Sequence, residues 1–100
     1  MAGYVIANYR VTDEAGYARY LEAVGATTAA HGAELLVADF ASEAKEGAPD
    51  DVSIVAKFSS KAAASAWYHS PEYQAVVHLR TDHTQGFLVI VDGLESAVEG

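Results

Sequence analysis

Tyr4-Val5-Ile6-Ala7-Asn8-Tyr9-Arg10-Val11 is the stretch on which the fold turns. Alternation assigns Val5, Ala7, Tyr9 and Val11 to one face of a strand and Tyr4, Ile6, Asn8 and Arg10 to the other. Both faces carry apolar side chains, so neither is suited to water alone. The same is true of Gly86-Phe87-Leu88-Val89-Ile90-Val91, a continuously apolar run closed by Asp92-Gly93. Between these two strands the pattern changes period. Thr12 or Asp13 can cap a helix whose inward positions are Tyr17, Tyr20, Leu21, Val24, Thr28 and His31, and Gly32 stands where a C′ glycine belongs. Residues 33–42 and 52–59 read as strands two and three. Ser60 caps a short Ala-rich helix to about Tyr68, and Ser70-Pro71-Glu72 starts a second helical piece that runs to about Arg80.

The order is strand, helix, strand, strand, helix, strand. Right-handed crossovers make this an α+β, ferredoxin-like βαββαβ sandwich, with four antiparallel strands and helices on one face. It is expected as a single domain over residues 1–100. The second sheet face then lacks a cover, and a second copy is the simplest one, which predicts a homodimeric α/β barrel.

Composition bounds the rest. With 100 residues, 51% of them apolar, the chain can bury one core, and twenty of those apolar residues are alanine. The core must therefore lean on Val, Ile, Leu, Phe, one Trp and six Tyr. Cysteine is absent, which removes disulfides, thiolate nucleophiles and zinc-thiolate sites. Fourteen acids against six bases give a net charge of -8, unfavourable for nucleic acid. No apolar run approaches a membrane span, and residues 1–8 lack the basic start of a signal sequence, so a cytoplasmic location is expected. The charge is uneven. Residues 39–51 and 72–100 each sum to -4, and the first of these, with Gly47 and Pro49, reads as a solvated hairpin loop.

Few residues can carry chemistry. On the helix from Pro71, Tyr73, Val76, Val77 and Arg80 share a stripe, so Arg80 points inward. It either pairs with Asp82, Asp13 or a carbonyl, or holds a carboxylate or enolate oxygen at a pocket mouth. His31 ends the inward stripe of the first helix, as a structural histidine or as a general base. Asn8, mid-strand, needs hydrogen-bond partners. Tyr9, Tyr17, Tyr20, Trp67, Tyr68 and Tyr73 are either core or the lining of an aromatic-accepting cavity. The histidines 31, 69, 78 and 83 lack metal-ligand spacing, and there is no Gly-rich phosphate loop or nucleophile elbow, so neither metal nor cofactor is expected.

The run Ala66-Trp67-Tyr68-His69-Ser70-Pro71-Glu72-Tyr73-Gln74, followed by Leu79-Arg80, resembles a family of about hundred-residue bacterial proteins without an assigned function. Gly3-Tyr4-Val5-Ile6, Asp13, Tyr17, Tyr20 and His31-Gly32 match it too, so the resemblance covers nearly the whole chain. It implies the dimeric α/β-barrel superfamily, in which two ferredoxin-like subunits appose their sheets. The chain departs from the family pattern after His31-Gly32, where Glu34 and Ala38 replace two basic residues. An anion site would then rest on Arg80 alone.

The resemblance implies a small-molecule pocket between sheet and helices. As a cofactor-independent oxygenase or isomerase acting on a small aromatic or enolisable compound, the chain would use His31 to move a proton and Arg80 with Asn8 to hold an oxyanion. Tyr9, Tyr20, Trp67, Tyr68, Ser70 and Tyr73 would line the ligand. The alternative is a non-catalytic ligand-binding dimer with the same aromatics. Haem-degrading members of the superfamily place an Asn, a Trp and a His where Asn8, Trp67 and His78 stand, but their His follows the Trp by ten residues and His78 follows by eleven. One residue turns a helical side chain by about 100°, away from the cavity.

Overall fold

A computed structural model describes residues 1–94. Glu95 and Glu99 of the C-terminal acidic stretch lie outside the described residues. Alternation along the first strand is realised as read: β1 (Gly3–Val11) buries Val5, Ala7 and Tyr9 beneath the helices and turns Ile6 and Arg10 outward. It pairs antiparallel with β3 (Val52–Phe58) and with β4 (Thr84–Asp92), and β2 (Glu34–Asp39) pairs antiparallel with β3. The sheet order β2-β3-β1-β4 is that of the ferredoxin-like α+β sandwich.

β2 is shorter than the sequence suggests. Asp39 accepts a hydrogen bond from the Ala41 amide at 2.8 Å, which turns the chain out of the ladder before residue 42. A β-bulge between Leu35 and Val37 also breaks its alternation, so that Leu35 opposite Ala56 and Ala38 opposite Ile54 share the helix-side face. The acidic loop beyond it is exposed, as its charge requires.

α1 (Glu14–Ala30) is capped by Asp13, whose carboxylate accepts from the amides of Ala15 and Gly16. It stops in a Schellman arrangement: Gly32, at φ 69°, donates to Ala29 and Ala33 donates to Thr28. Only glycine adopts that dihedral without strain. α2 (Lys61–Tyr68) is capped by Ser60 and packs on β1, β3 and β4.

The helical piece after Ser70 is not continuous, contrary to its spacing. α3 (Pro71–Gln74) and α4 (Val77–Thr81) are separated at Ala75 and Val76, where the Val76 amide donates to Tyr73 in a tight turn. Two adjacent β-branched valines favour such a break. α1 packs on α3 and α4 rather than closely on the strands, and the gap beneath it is the cavity.

No described element covers the opposite sheet face. Ile6, Phe87 and Val89 project from β1 and β4, Phe87 with 52% of its surface exposed. No described helix is long and apolar enough to cross a membrane.

Candidate functional site

The cavity between α1 and the sheet has a volume of about 260 Å³. Its floor is the helix-side face of the sheet, with Val5, Ala7, Ile54 and Ala56, and its roof is α1, with Leu21 and Val24. Leu35, Ala38 and Phe40, from β2 and the residues just after it, stand at one side, where Leu35 is 64% exposed. These walls are apolar. Arg80 is the one charged residue among the described lining.

Four phenols and the guanidinium form a single cluster. Tyr9 and Tyr17 share a 2.6 Å hydrogen bond, Tyr20 and Tyr73 share one of 2.9 Å, and Arg80 Nε donates to Tyr73 Oη at 3.4 Å. Edge-to-face contacts of Tyr9 on Tyr17 and of Tyr20 on Tyr73, with Tyr17 stacked on Tyr20, fix the rings. Burial pushes the Tyr9 and Tyr20 hydroxyls well above the ordinary phenol range and raises that of Tyr17, so all three stay neutral. Burial opposes the charge on Arg80 too, but the oxygens of Tyr73, Tyr20 and Tyr9 outweigh it and hold its pKa above the usual value. Arg80 is a permanent cation, only 7% exposed, and no acid among the described residues pairs with it.

Trp67 contributes an apolar wall. Its indole N–H donates to Thr27 at 3.0 Å, and Thr27 passes its own proton to the Val24 carbonyl at 2.7 Å, so the polar edge is satisfied away from the cavity. Its ring lies 4.0 Å from that of Tyr73.

Of the residues singled out in the sequence, Tyr9, Tyr17, Tyr20, Trp67 and Arg80 line the cavity. Tyr73 sits behind them and reaches Arg80 and Tyr20 with its hydroxyl. Tyr68 packs edge-on against Trp67, outside the lining, because consecutive helical residues point about 100° apart. Ser70 is a cap: its hydroxyl donates to Trp67 O at 2.7 Å and accepts from Tyr73 N at 3.2 Å.

His31 and Asn8 are not in the cavity, which corrects the expectation that they act with Arg80. His31 has left the helical conformation as the C-cap of α1, and its Nε2 faces Glu72 Oε2 at 3.4 Å. Asn8 points to the opposite sheet face. There its Nδ2 donates to the carbonyls of Asp50 and Val52, and its Oδ1 accepts from Asp50 N at 2.8 Å, tying the acidic loop to the sheet. The haem-type set of Asn8, Trp67 and His78 is likewise separated: Trp67 lies beneath the helices, Asn8 on the far face, and His78 is exposed. The pairing of Arg80 with Asp82, Asp13 or a carbonyl is replaced by Tyr73. Among the described residues no group of three His, Asp or Glu could hold a metal ion.

Sequence reasoning passed over most of the apolar walls. The bulge hides the common face of Leu35 and Ala38 from any period-two reading. Leu21 and Val24 had been legible on the inward stripe, but whether a stripe meets side chains or a void depends on how far the helix stands from the sheet.

Residues 2–94 match the family model described as a domain of unknown function, DUF1330. No match was found among curated protein sequences. Among solved structures, the chain is similar to a protein of unknown function from Rhodopseudomonas palustris, at 17% identity and a TM-score of 0.77 over 95% of this chain and 84% of that one. It is similar to a candidate antibiotic biosynthesis monooxygenase from Caulobacter crescentus, at 18% identity and 0.63 over 94% and 91%. SnoaB, a cofactor-independent oxygenase from Streptomyces nogalater, gives 12% identity and 0.57 over 96% of both chains. At these identities the likeness establishes the fold alone.

Proposed function

The chain belongs to the DUF1330 family, and we propose that it is a homodimeric binder of one small, largely apolar organic molecule, aromatic or enolisable, held between α1 and the sheet. The observation that carries this reading is the cavity itself: about 260 Å³, apolar-walled, with one buried cation. That volume lies just below the range of pockets for drug-sized ligands, about 300–1,000 Å³, and suits one or two rings. The dimer reading rests on the uncovered sheet face, where Ile6, Phe87 and Val89 expose an apolar surface that a two-fold related copy would bury.

A second reading is cofactor-independent oxygenation or isomerisation of such a ligand. It is favoured by Arg80, a cation placed to hold an enolate oxygen, and by the fold shared with SnoaB. Binding is placed first because no carboxylate or imidazole among the described residues lines the cavity to take a proton, and its phenols are held neutral.

Thermal-shift screening with quinones, lactones and aromatic acids tests the binding reading, since a ligand of the folded state must raise Tm. A hit is expected in at least one class. Oxygen uptake by protein and hit in aerated buffer then separates oxygenase from binder. Complete indifference of Tm to all three classes would sink the cavity reading, and a monomer by light scattering at micromolar concentration would sink the dimer.

A further inference from the structure

Hydrogen-bond donors outnumber acceptors at the tyrosine end of the cavity. Tyr9 and Tyr17 have two hydroxyl protons between them, and their mutual bond uses one, whichever oxygen donates. Tyr20 and Tyr73 stand in the same relation. One phenol proton per pair is left without an acceptor among the described residues. Arg80 carries about five N–H groups, and only its Nε has a partner, the Tyr73 oxygen. Yet no buried side-chain nitrogen or oxygen among the described residues is both unpartnered and sealed from solvent. The terminal guanidinium nitrogens therefore keep some access to solvent, and Arg80 lines the cavity.

The nearby donors that might compete are already used. Trp67 gives its indole proton to Thr27, and Thr27 gives its own to Val24. What remains is a positive charge and the spare phenol proton of the Tyr9–Tyr17 pair, whose two residues both line the cavity, at one end of an apolar chamber, a set that an acceptor completes. The charge is single, so a second negative charge would find no cation among the described lining.

Resting on the binding reading above, we propose that the ligand is an aromatic monocarboxylate. Its two oxygens sit at the guanidinium of Arg80 and the free phenol proton of the Tyr9–Tyr17 pair. Its ring lies along the apolar walls toward Phe40. An arginine fork presents parallel N–H groups that match both oxygens of a carboxylate. The cavity has no base with which to ionise a weak acid, and a carboxylic acid, with a pKa near about 4, arrives already ionised at neutral pH.

The test compares 2-naphthoate with 2-naphthamide, which share shape and differ in charge, by titration calorimetry at pH 7 on the wild-type protein and on Arg80→Met. The expected result is a Kd for naphthoate ~10- to 100-fold lower than for naphthamide, with that ratio falling to about one in Arg80→Met while the amide still binds. 2,6-Naphthalenedicarboxylate is expected to bind more weakly than 2-naphthoate. Equal affinity of the wild type for acid and amide would overturn the carboxylate inference and leave the cavity reading standing. A preference for the acid that survives Arg80→Met overturns it as well. Failure of both probes to bind would overturn the inference, while the cavity reading would fall only with the thermal-shift screen. Should Arg80→Met not fold, the wild-type comparison still decides.

Discussion

Arg80 Nε donates to Tyr73 Oη over 3.4 Å, and that one long bond is all the protein partnership the described residues give to a buried guanidinium. A desolvated charge without a counter-charge is a liability to the fold. In a chain with fourteen acids, placing its buried cation away from all those described is costly for stability and apt for binding an anion.

The tyrosine oxygens that hold the Arg80 pKa up are phenol dipoles and supply no counter-charge, so Arg80→Met should stabilise the ligand-free protein. Replacing an unpaired buried charge by an apolar chain of similar length is worth about 1 kcal/mol or more, which for this size means a Tm higher by roughly 4–8 °C. Scanning calorimetry of both proteins measures it; a lower Tm would mean that the tyrosine oxygens compensate the charge fully.

Tyr73→Phe acts in the opposite direction. It leaves Arg80 Nε and the Tyr20 hydroxyl without their shared partner in a fully buried place, for a loss of about 1–3 kcal/mol. Urea unfolding with an unchanged m-value is the check.

The raised phenols predict alkaline unfolding. Tyr9, Tyr17 and Tyr20 bind their protons more tightly in the folded than in the unfolded chain. Above about pH 10 the unfolded state has lost these protons while the folded state retains them, so stability falls as pH rises. Each phenol contributes a slope of up to about 1.4 kcal/mol per pH unit, and none of this loss appears below pH ~9. Tyrosinate absorbance at 295 nm should rise in step with the loss of circular dichroism. Smooth ionisation of all six tyrosines within a native fold would contradict it.

Asn8→Ala should weaken the fold by about 1–3 kcal/mol, since Asp50 N–H and the carbonyls of Asp50 and Val52 lose a common partner. Ligand affinity should be unchanged, as it should in His31→Ala, because neither side chain lines the cavity. A tenfold loss of naphthoate binding in either variant would return that residue to the site.

Phe87→Lys places a charge on the uncovered face, where Phe87 on the edge strand β4 lies opposite Asn8 in the β1–β4 ladder. The wild type is expected as a dimer and the variant as a monomer with an unaltered circular dichroism spectrum, both by light scattering. A variant that stays dimeric would move the interface elsewhere.

Element order and strand parity were legible because they rest on local chemistry. Asp13, Ser60 and Ser70 cap helices with their own side chains, Gly32 ends α1, and alternation on β1 divides Tyr9 from Asn8. That parity already separates Asn8 from any residue under the helices, a consequence the functional grouping of Asn8 with Arg80 ignored. His31 misled for a different reason: it keeps the phase of the inward stripe but lies at the C-cap, where φ and ψ depart from the helix and the ring swings to Glu72. The break at Val76 has only a pair of β-branched valines and no glycine or proline to mark it, and the stand-off of α1 depends on packing between distant segments.

The bulge in β2 matters beyond the face it gives Leu35 and Ala38. β2 is one free edge of the sheet and β4 the other, and end-to-end fusion of many sheets into a fibril needs an unbroken row of amides and carbonyls along both. The bulge interrupts that row on β2. Pairing of β4 with β4 would close on itself after two copies, so growth from this sheet by strand addition lacks a second step.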